Sequence, residues 1–170
     1  AGDRQRDVEI PHYVTRSGYT EDQKSREKVG DVQDGGRAAY VPLTRGDPTW
    51  LTLIPGDTTH PAGFTSVLGW NDAGTEALIF AVSFDWKTRF IYGVGAKGAL
   101  TGLDTLRDSA WVEGPAFGSG GWFDGGKRIW FVSEADGWAH LYSMVADGSD
   151  KNQLTTGKWE VDHVALSTDG

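Results

Sequence analysis

Cysteine is absent from this 170-residue chain. That excludes disulfides, thiolate zinc sites and a cysteine nucleophile. No apolar run approaches the ~20 residues that a membrane-spanning helix needs. No basic cluster offsets the formal net charge of −8, so a phosphate backbone would be repelled and no nucleic-acid partner is expected. The excess charge lies wholly in residues 31–170; residues 1–30 balance. The opening AGDRQRDVEI lacks the apolar stretch of a signal peptide, which leaves the compartment open. Residues 1–30 also hold no Trp or Phe. Their polar stretch Glu21 to Lys28 reads as a short solvated helix or a loop, with no apolar face at helical spacing. The segment 1–30 is expected to be a connection packed on a larger body.

What the chain does have is 24 Gly and eight Trp, the latter all beyond position 49. Glycines spread between short apolar segments mark tight turns, and large aromatics pack sheets together. Ala38–Leu43 and Trp50–Ile54 read as a hairpin, with Pro42 at an edge or strand end. Thr65–Trp70, Ala77–Val82 and Arg89–Val94 follow as strands. Residues 95–110 look irregular, with Ala110–Val112 as a short fourth strand. A second cycle runs through Phe117–Phe123, Arg128–Val132, His140–Val145 and Asn152–Thr155. Val161–Leu166 opens a third.

Aligned on their first turns, the cycles place Asp72, Asp124 and Asp169 about 45–52 residues apart, the repeat length of a four-stranded propeller blade. The expected fold is therefore all-β, a β-propeller fragment of about three four-stranded antiparallel blades. The end of one blade falls at about 31–64, a blade at 65–115, another at 116–160 and the start of the next at 161–170. A β-sandwich with accidental spacing is the alternative.

The stretch from Ser133 to Asp162, SEADGWAHLYSMVADGSDKNQLTTGKWEVD, resembles the propeller repeat of the prolyl oligopeptidase family, in its dipeptidyl-peptidase IV branch. The residues that carry the likeness are Ser133, Glu134, Asp136, Gly137, Trp138, His140, Leu141 and Tyr142, then Leu154, Thr155, Gly157, Trp159 and Glu160. Arg26 to Gly30, Trp111-Val112 and Pro115 to Phe117 add weaker matches. The resemblance implies the N-terminal propeller of a serine exopeptidase, periplasmic or secreted, which caps a C-terminal α/β-hydrolase domain and admits short peptides. It implies no cofactor and no metal.

The chain itself offers no nucleophile motif. Ser119 sits in FGSGG, and Ser109, Ser133, Ser143 and Ser167 also depart from G-x-S-x-G. The branch's substrate-amine anchor, two adjacent Glu, is missing too, so no catalytic or substrate-binding residue is assigned. Of the four histidines, His12, His60 and His163 are dispersed; His140, between a turn and a strand, is expected to tie its hairpin by a hydrogen bond. Asp147 to Asn152 misses the calcium-loop spacing and reads as a turn. Glu134 and Glu160 would form an acid/base pair only if a cleft brought them within ~5–10 Å; acceptance of backbone or indole N–H bonds is the plainer reading. Trp50, Trp86, Trp111, Trp122, Trp130, Trp138 and Trp159 could line a sugar-binding face, but core packing between blades is the commoner role. Trp86 and Trp138, next to turns, are the ones expected at the surface. Unpaired blade edges predict a homo-oligomer. A stand-alone scaffold propeller of the TolB type, and a carbohydrate-active enzyme using acidic residues, are the competing functions.

Overall fold

In the computed structural model, residues 8–25, 35–57 and 61–167 are described. His60, Arg26 to Asp34 and Thr168 to Gly170 lie outside them, and with them the Arg26–Gly30 match and the third repeat of the first turn. The chain divides into two units, Ala1–Asp34 and Gly35–Gly170.

In the first unit, β1 (Val8–His12) pairs antiparallel with β2 (Glu21–Ser25). The polar stretch expected as helix or loop is thus a strand over Glu21–Ser25. Its charges explain the choice: Glu9 stands opposite Lys24, and opposite charges across a sheet contribute about 0.2–1 kcal/mol. Thr15 Oγ1 closes the turn by donating to the Tyr19 carbonyl at 2.6 Å.

The second unit starts with a short hairpin, β3 (Ala39–Tyr40) with β4 (Thr49–Trp50). A four-stranded antiparallel blade follows: β5 (Phe64–Trp70), β6 (Ala77–Val82), β7 (Thr88–Val94) and β8 (Leu100–Arg107), paired in chain order. The next blade repeats the order with β9 (Gly120–Phe123), β10 (Arg128–Ser133), β11 (His140–Val145) and β12 (Asn152–Gln153).

The fourth strand of the first blade was misplaced by sequence reasoning. It is Leu100–Arg107, whereas Ala110 to Val112 lie in the connector. A bulge opposite Ile91 and Tyr92 adds one residue to β8, which breaks the two-residue alternation that marks a strand. Similarly, residues 161–167 form no strand; Val161 instead donates its N–H to the Ala139 carbonyl at 2.7 Å.

Alternation along β6 shows how the blades are held. All six of its residues are buried, as in a strand covered on both faces. Leu78, Phe80 and Val82 join Ile91, Leu103 and Val112 against Ile129, Phe131, Tyr142 and Met144 of the second blade. Ala77, Ile79 and Ala81 face the other way, with Tyr92 and Val94, onto Leu53, Ile54 and Ala62. Each large apolar side chain so buried contributes about 1.5–3 kcal/mol. The inner strands are joined as well: the Trp122 indole N–H donates to the Gly69 carbonyl at 3.2 Å. Gly69, at φ +135° beside the bulge in β5, supplies a backbone turn that other residues rarely adopt.

Candidate functional site

The sequence motif of residues 133–162 folds into the end of β10, the strands β11 and β12, and the strap that follows them. β10 ends at Ser133; Glu134 to Ala139 turn the chain; β11 starts at His140. Asp136 stabilises the turn through its Oδ1, which accepts the Trp138 N–H at 3.3 Å, and its Oδ2 accepts from Gln153 at 2.6 Å. These bonds hold the Asp136 carboxyl below the usual range, the Gln153 contact most of all.

His140 is 0% exposed. Its Nδ1 lies 3.1 Å from Thr155 Oγ1 and its Nε2 3.0 Å from the Gly157 carbonyl. Thr155 Oγ1 also accepts the Leu141 N–H at 2.9 Å. The Trp159 ring meets the imidazole edge-on at 5.2 Å. His140 therefore ties β11 to the strap beyond β12, a longer connection than the hairpin bond expected of it. Leu154 extends the tie by donating its N–H to the Leu141 carbonyl at 2.8 Å. Tyr142 stacks on Phe131 at 5.7 Å within the core.

Glu134 is half-buried, and desolvation raises its carboxyl above the usual range. The charges of Glu160, Asp108 and Glu113 push in the same direction, while a hydrogen bond from the Glu113 backbone opposes them. Glu134 is thus a backbone acceptor, with Glu160 within electrostatic reach. Gly114, at φ +124°, leaves the space the Glu134 carboxylate fills; a Cβ there would overlap it.

Sequence reasoning missed the residues that lock the two blades together. Arg89, on β7, is 2% exposed, and its Nη1 donates to Asp104 of β8 at 2.7 Å. Its Nη2 crosses to the second blade and donates to Ser133 Oγ at 2.9 Å, while the guanidinium lies over the Phe131 ring. Lys151, from the turn before β12, reaches back to the other Asp104 oxygen at 2.5 Å. Burial lowers the Arg89 guanidinium, and the Asp104 charge opposes that. Ser133 stands opposite His140 in the register, yet its hydroxyl accepts from Arg89 and the imidazole bonds elsewhere. The available signal was Arg89 at the head of an otherwise apolar strand, RFIYGV.

A second missed signal is a repeat of turn chemistry. Ser83, Asp85 and Trp86 end β6 as Ser133, Asp136 and Trp138 end β10. Ser83 Oγ accepts the Thr88 N–H at 2.9 Å and donates to Asp85 at 2.6 Å. Trp86, at φ +57°, stacks on Phe117 at 6.0 Å.

The remaining candidates separate. Asp147 accepts from the Ser149 N–H at 2.8 Å and its hydroxyl at 2.6 Å, and Asp150 pairs with Arg128 at 2.8 Å. Asp147 is spent on the turn, and Asp150 ties it to Arg128 at the start of β10. Among the described residues no group of three or more His, Asp or Glu is placed to hold a metal. His12 and His163 are exposed and far apart in sequence. Among the tryptophans, Trp122 packs against the core and Trp130 is half-buried. Trp50 and Trp111, at 65%, and Trp159, at 49%, are more exposed than Trp138 and Trp86, at 39% and 37%. The expectation that the last two would lead the surface set does not hold: Phe117, from the loop before β9, stacks on the Trp86 ring.

Two antiparallel four-stranded blades, stacked face to face and joined at their inner strands, are the architecture of a β-propeller. The comparisons make the class specific. A family model described as "Dipeptidyl peptidase IV (DPP IV) N-terminal region" matches residues 103–170. The crystal structure of Porphyromonas gingivalis dipeptidyl peptidase 4 superposes with a TM-score of 0.65 at 18% identity, covering 92% of this chain and 22% of that one. Proteins named "Probable dipeptidyl peptidase 4" from Trichophyton verrucosum and Arthroderma benhamiae are each 39% identical over 56 residues, which is 26% of this chain and 7% of theirs. The chain carries a DPP IV-like N-terminal propeller region, and it spans under a tenth of the curated relatives it matches.

Proposed function

We propose that this chain is the non-catalytic propeller part of a DPP IV-like serine exopeptidase. In that role it caps a C-terminal α/β-hydrolase domain and limits entry to short peptides. The observation that carries the reading is the family match over residues 103–170, falling on a blade whose polar motif residues are engaged in holding strands together. Ser133, His140 and Glu134 have structural partners and no nucleophile–base geometry. The relatives' names point to dipeptide release, and a peptidase of that kind fits a periplasmic or secreted setting. No helix among the described residues is long and apolar enough to cross a membrane. A homo-oligomer through blade edges belongs to the same reading, with β8 the longest edge strand among the described residues.

The test is the gene and its full-length product. A reading frame that continues past Gly170 into G-x-S-x-G, then Asp and His, should yield a protein that releases Xaa-Pro dipeptides. A frame that continues without this motif would overturn the proposal in favour of a scaffold propeller of the TolB type.

A further inference from the structure

The loop that joins β3 to β4 reads VPLTRGDP, residues 41–48. Its base is fixed against the next blade. A Cβ on Gly98, in the turn between β7 and β8, would stand 3.1 Å from Tyr40 Cβ and 3.4 Å from Thr49 Cγ2. The loop is also stiff. Pro42 and Pro48 lock φ near its two ends. Gly46 lies so close to the first of them that a Cβ on it would meet Pro42 Cγ at 2.9 Å.

Arg45, Gly46 and Asp47 are all exposed. Among the described residues nothing pairs with the Arg45 guanidinium or the Asp47 carboxylate. Elsewhere the chain uses opposed charges internally: Arg89 holds Asp104 at 2.7 Å and Arg128 holds Asp150 at 2.8 Å. Arg45 has φ +105° and Gly46 φ +155°. The first is a strained value for a residue with a Cβ, and strain of this kind gathers where a loop is shaped for a ligand. Leu43, in the same loop, is fully exposed.

The loop thus presents a cation and an anion whose Cα atoms lie no more than about 7 Å apart, with no side chain between them. The two charges differ in what they recognise. A guanidinium forks onto carboxylates, so Arg45 fits an acidic pocket. A carboxylate with free oxygens fits a divalent cation held by another protein, because Mg2+ at such a site keeps waters that an incoming oxygen replaces. Gly46 lets the partner close on the backbone between them. A loop already shaped loses little freedom on docking. Arg-Gly-Asp is the order that cation-dependent adhesion receptors read in this way.

We propose that residues 41–48 are a docking loop for a cell-surface receptor of this chemistry, with Asp47 completing the coordination of a receptor-held divalent cation and Arg45 entering an acidic pocket. The loop lies outside residues 103–170, which carry the family match, and shares with the proposed function only a setting outside the cell.

Surface plasmon resonance of the 170-residue chain over an immobilised integrin ectodomain that binds Arg-Gly-Asp, in Mn2+ buffer, tests the proposal. Saturable binding is expected, lost on adding EDTA and displaced by a cyclic Arg-Gly-Asp peptide. Asp47→Glu keeps the charge but moves the carboxylate by one methylene, and should weaken binding by about tenfold or more. Arg45→Lys, which replaces the fork with a point charge, should weaken it too. Asp72→Asn, at an exposed acid outside the loop, should leave it unchanged. All three positions are exposed, so thermal melts should match the parent. Displacement by the peptide needs no variant and preserves the test if one misfolds. No saturable binding, binding that survives EDTA or excess peptide, or an Asp47→Glu affinity equal to the parent would overturn the proposal.

Discussion

Removing Asp104 should unfold the interface between the two blades more effectively than removing Lys151, its other charged partner. Asp104 is 7% exposed and faces Arg89, 2% exposed, at 2.7 Å. Asp104→Ala leaves the guanidinium buried with Ser133 and the Phe131 ring as its remaining partners. Leaving a buried charge without its counter-ion costs about 3–5 kcal/mol. A domain is typically stable by only about 5–15 kcal/mol, so the variant should sit near the edge of folding. The second arm of the cluster is weaker. Lys151 is 37% exposed, and a pair open to solvent is worth about 0.2–1 kcal/mol. Lys151→Ala should therefore cost a small fraction of Asp104→Ala. Replacing both buried partners, Arg89→Met with Asp104→Leu, removes the desolvation penalty along with the attraction and should recover most of the loss. Urea unfolding followed by tryptophan fluorescence and circular dichroism measures all three. With a denaturant slope of about 2 kcal/mol/M, Asp104→Ala should lower the midpoint by roughly 2 M. Equal losses for Asp104→Ala and Lys151→Ala, or a double variant as weak as Asp104→Ala, would refute the reasoning.

Glu134→Gln should stabilise the fold at neutral pH. Burial raises this carboxyl in the folded state, so the folded protein holds its proton to higher pH, and ionisation above that range costs stability. The gain should shrink as the pH falls and vanish below the usual carboxylate value of 4.5, as thermal melts across pH would show. Gly114→Ala should destabilise by more than about 1 kcal/mol, since φ is +124° and the new Cβ would overlap the Glu134 carboxylate; chemical denaturation checks it, and pairing with Glu134→Ala should reduce the clash. Tyr92→Phe should cost about 1–3 kcal/mol, the penalty of an unsatisfied buried acceptor. The hydroxyl donates to the Leu53 carbonyl at 2.9 Å, and burial pushes its pKa up to about 12.

The parts legible in the sequence were those with a local signal. ALIFAV and HLYSMV were bounded correctly because apolar runs between glycine turns admit few other readings. Leu100–Arg107 was not, since its bulge shifts the alternation and Gly102 interrupts it. The Glu21–Ser25 strand was hidden because its support is the separate strand Val8–His12, with no apolar face of its own. The site divides in the same way. His140 and Thr155 stood out through a motif, whereas Arg89 and Asp104 come together only when β7 pairs with β8, and Ser133 joins them only when the blades stack. Contacts that depend on register and on blade packing leave no mark in the spacing of either residue.

The proposed function makes this chain a DPP IV-like propeller region whose peptidase chemistry would lie in another part of the protein. A fluorophosphonate probe applied to the folded 170-residue chain, beside turnover of a chromogenic Xaa-Pro dipeptide, tests it most directly. The account predicts no labelled serine and no turnover from a chain whose β signature is intact by circular dichroism. Labelling of any serine, Ser133 above all, would mean that a nucleophile is activated here without G-x-S-x-G, and would contradict the account.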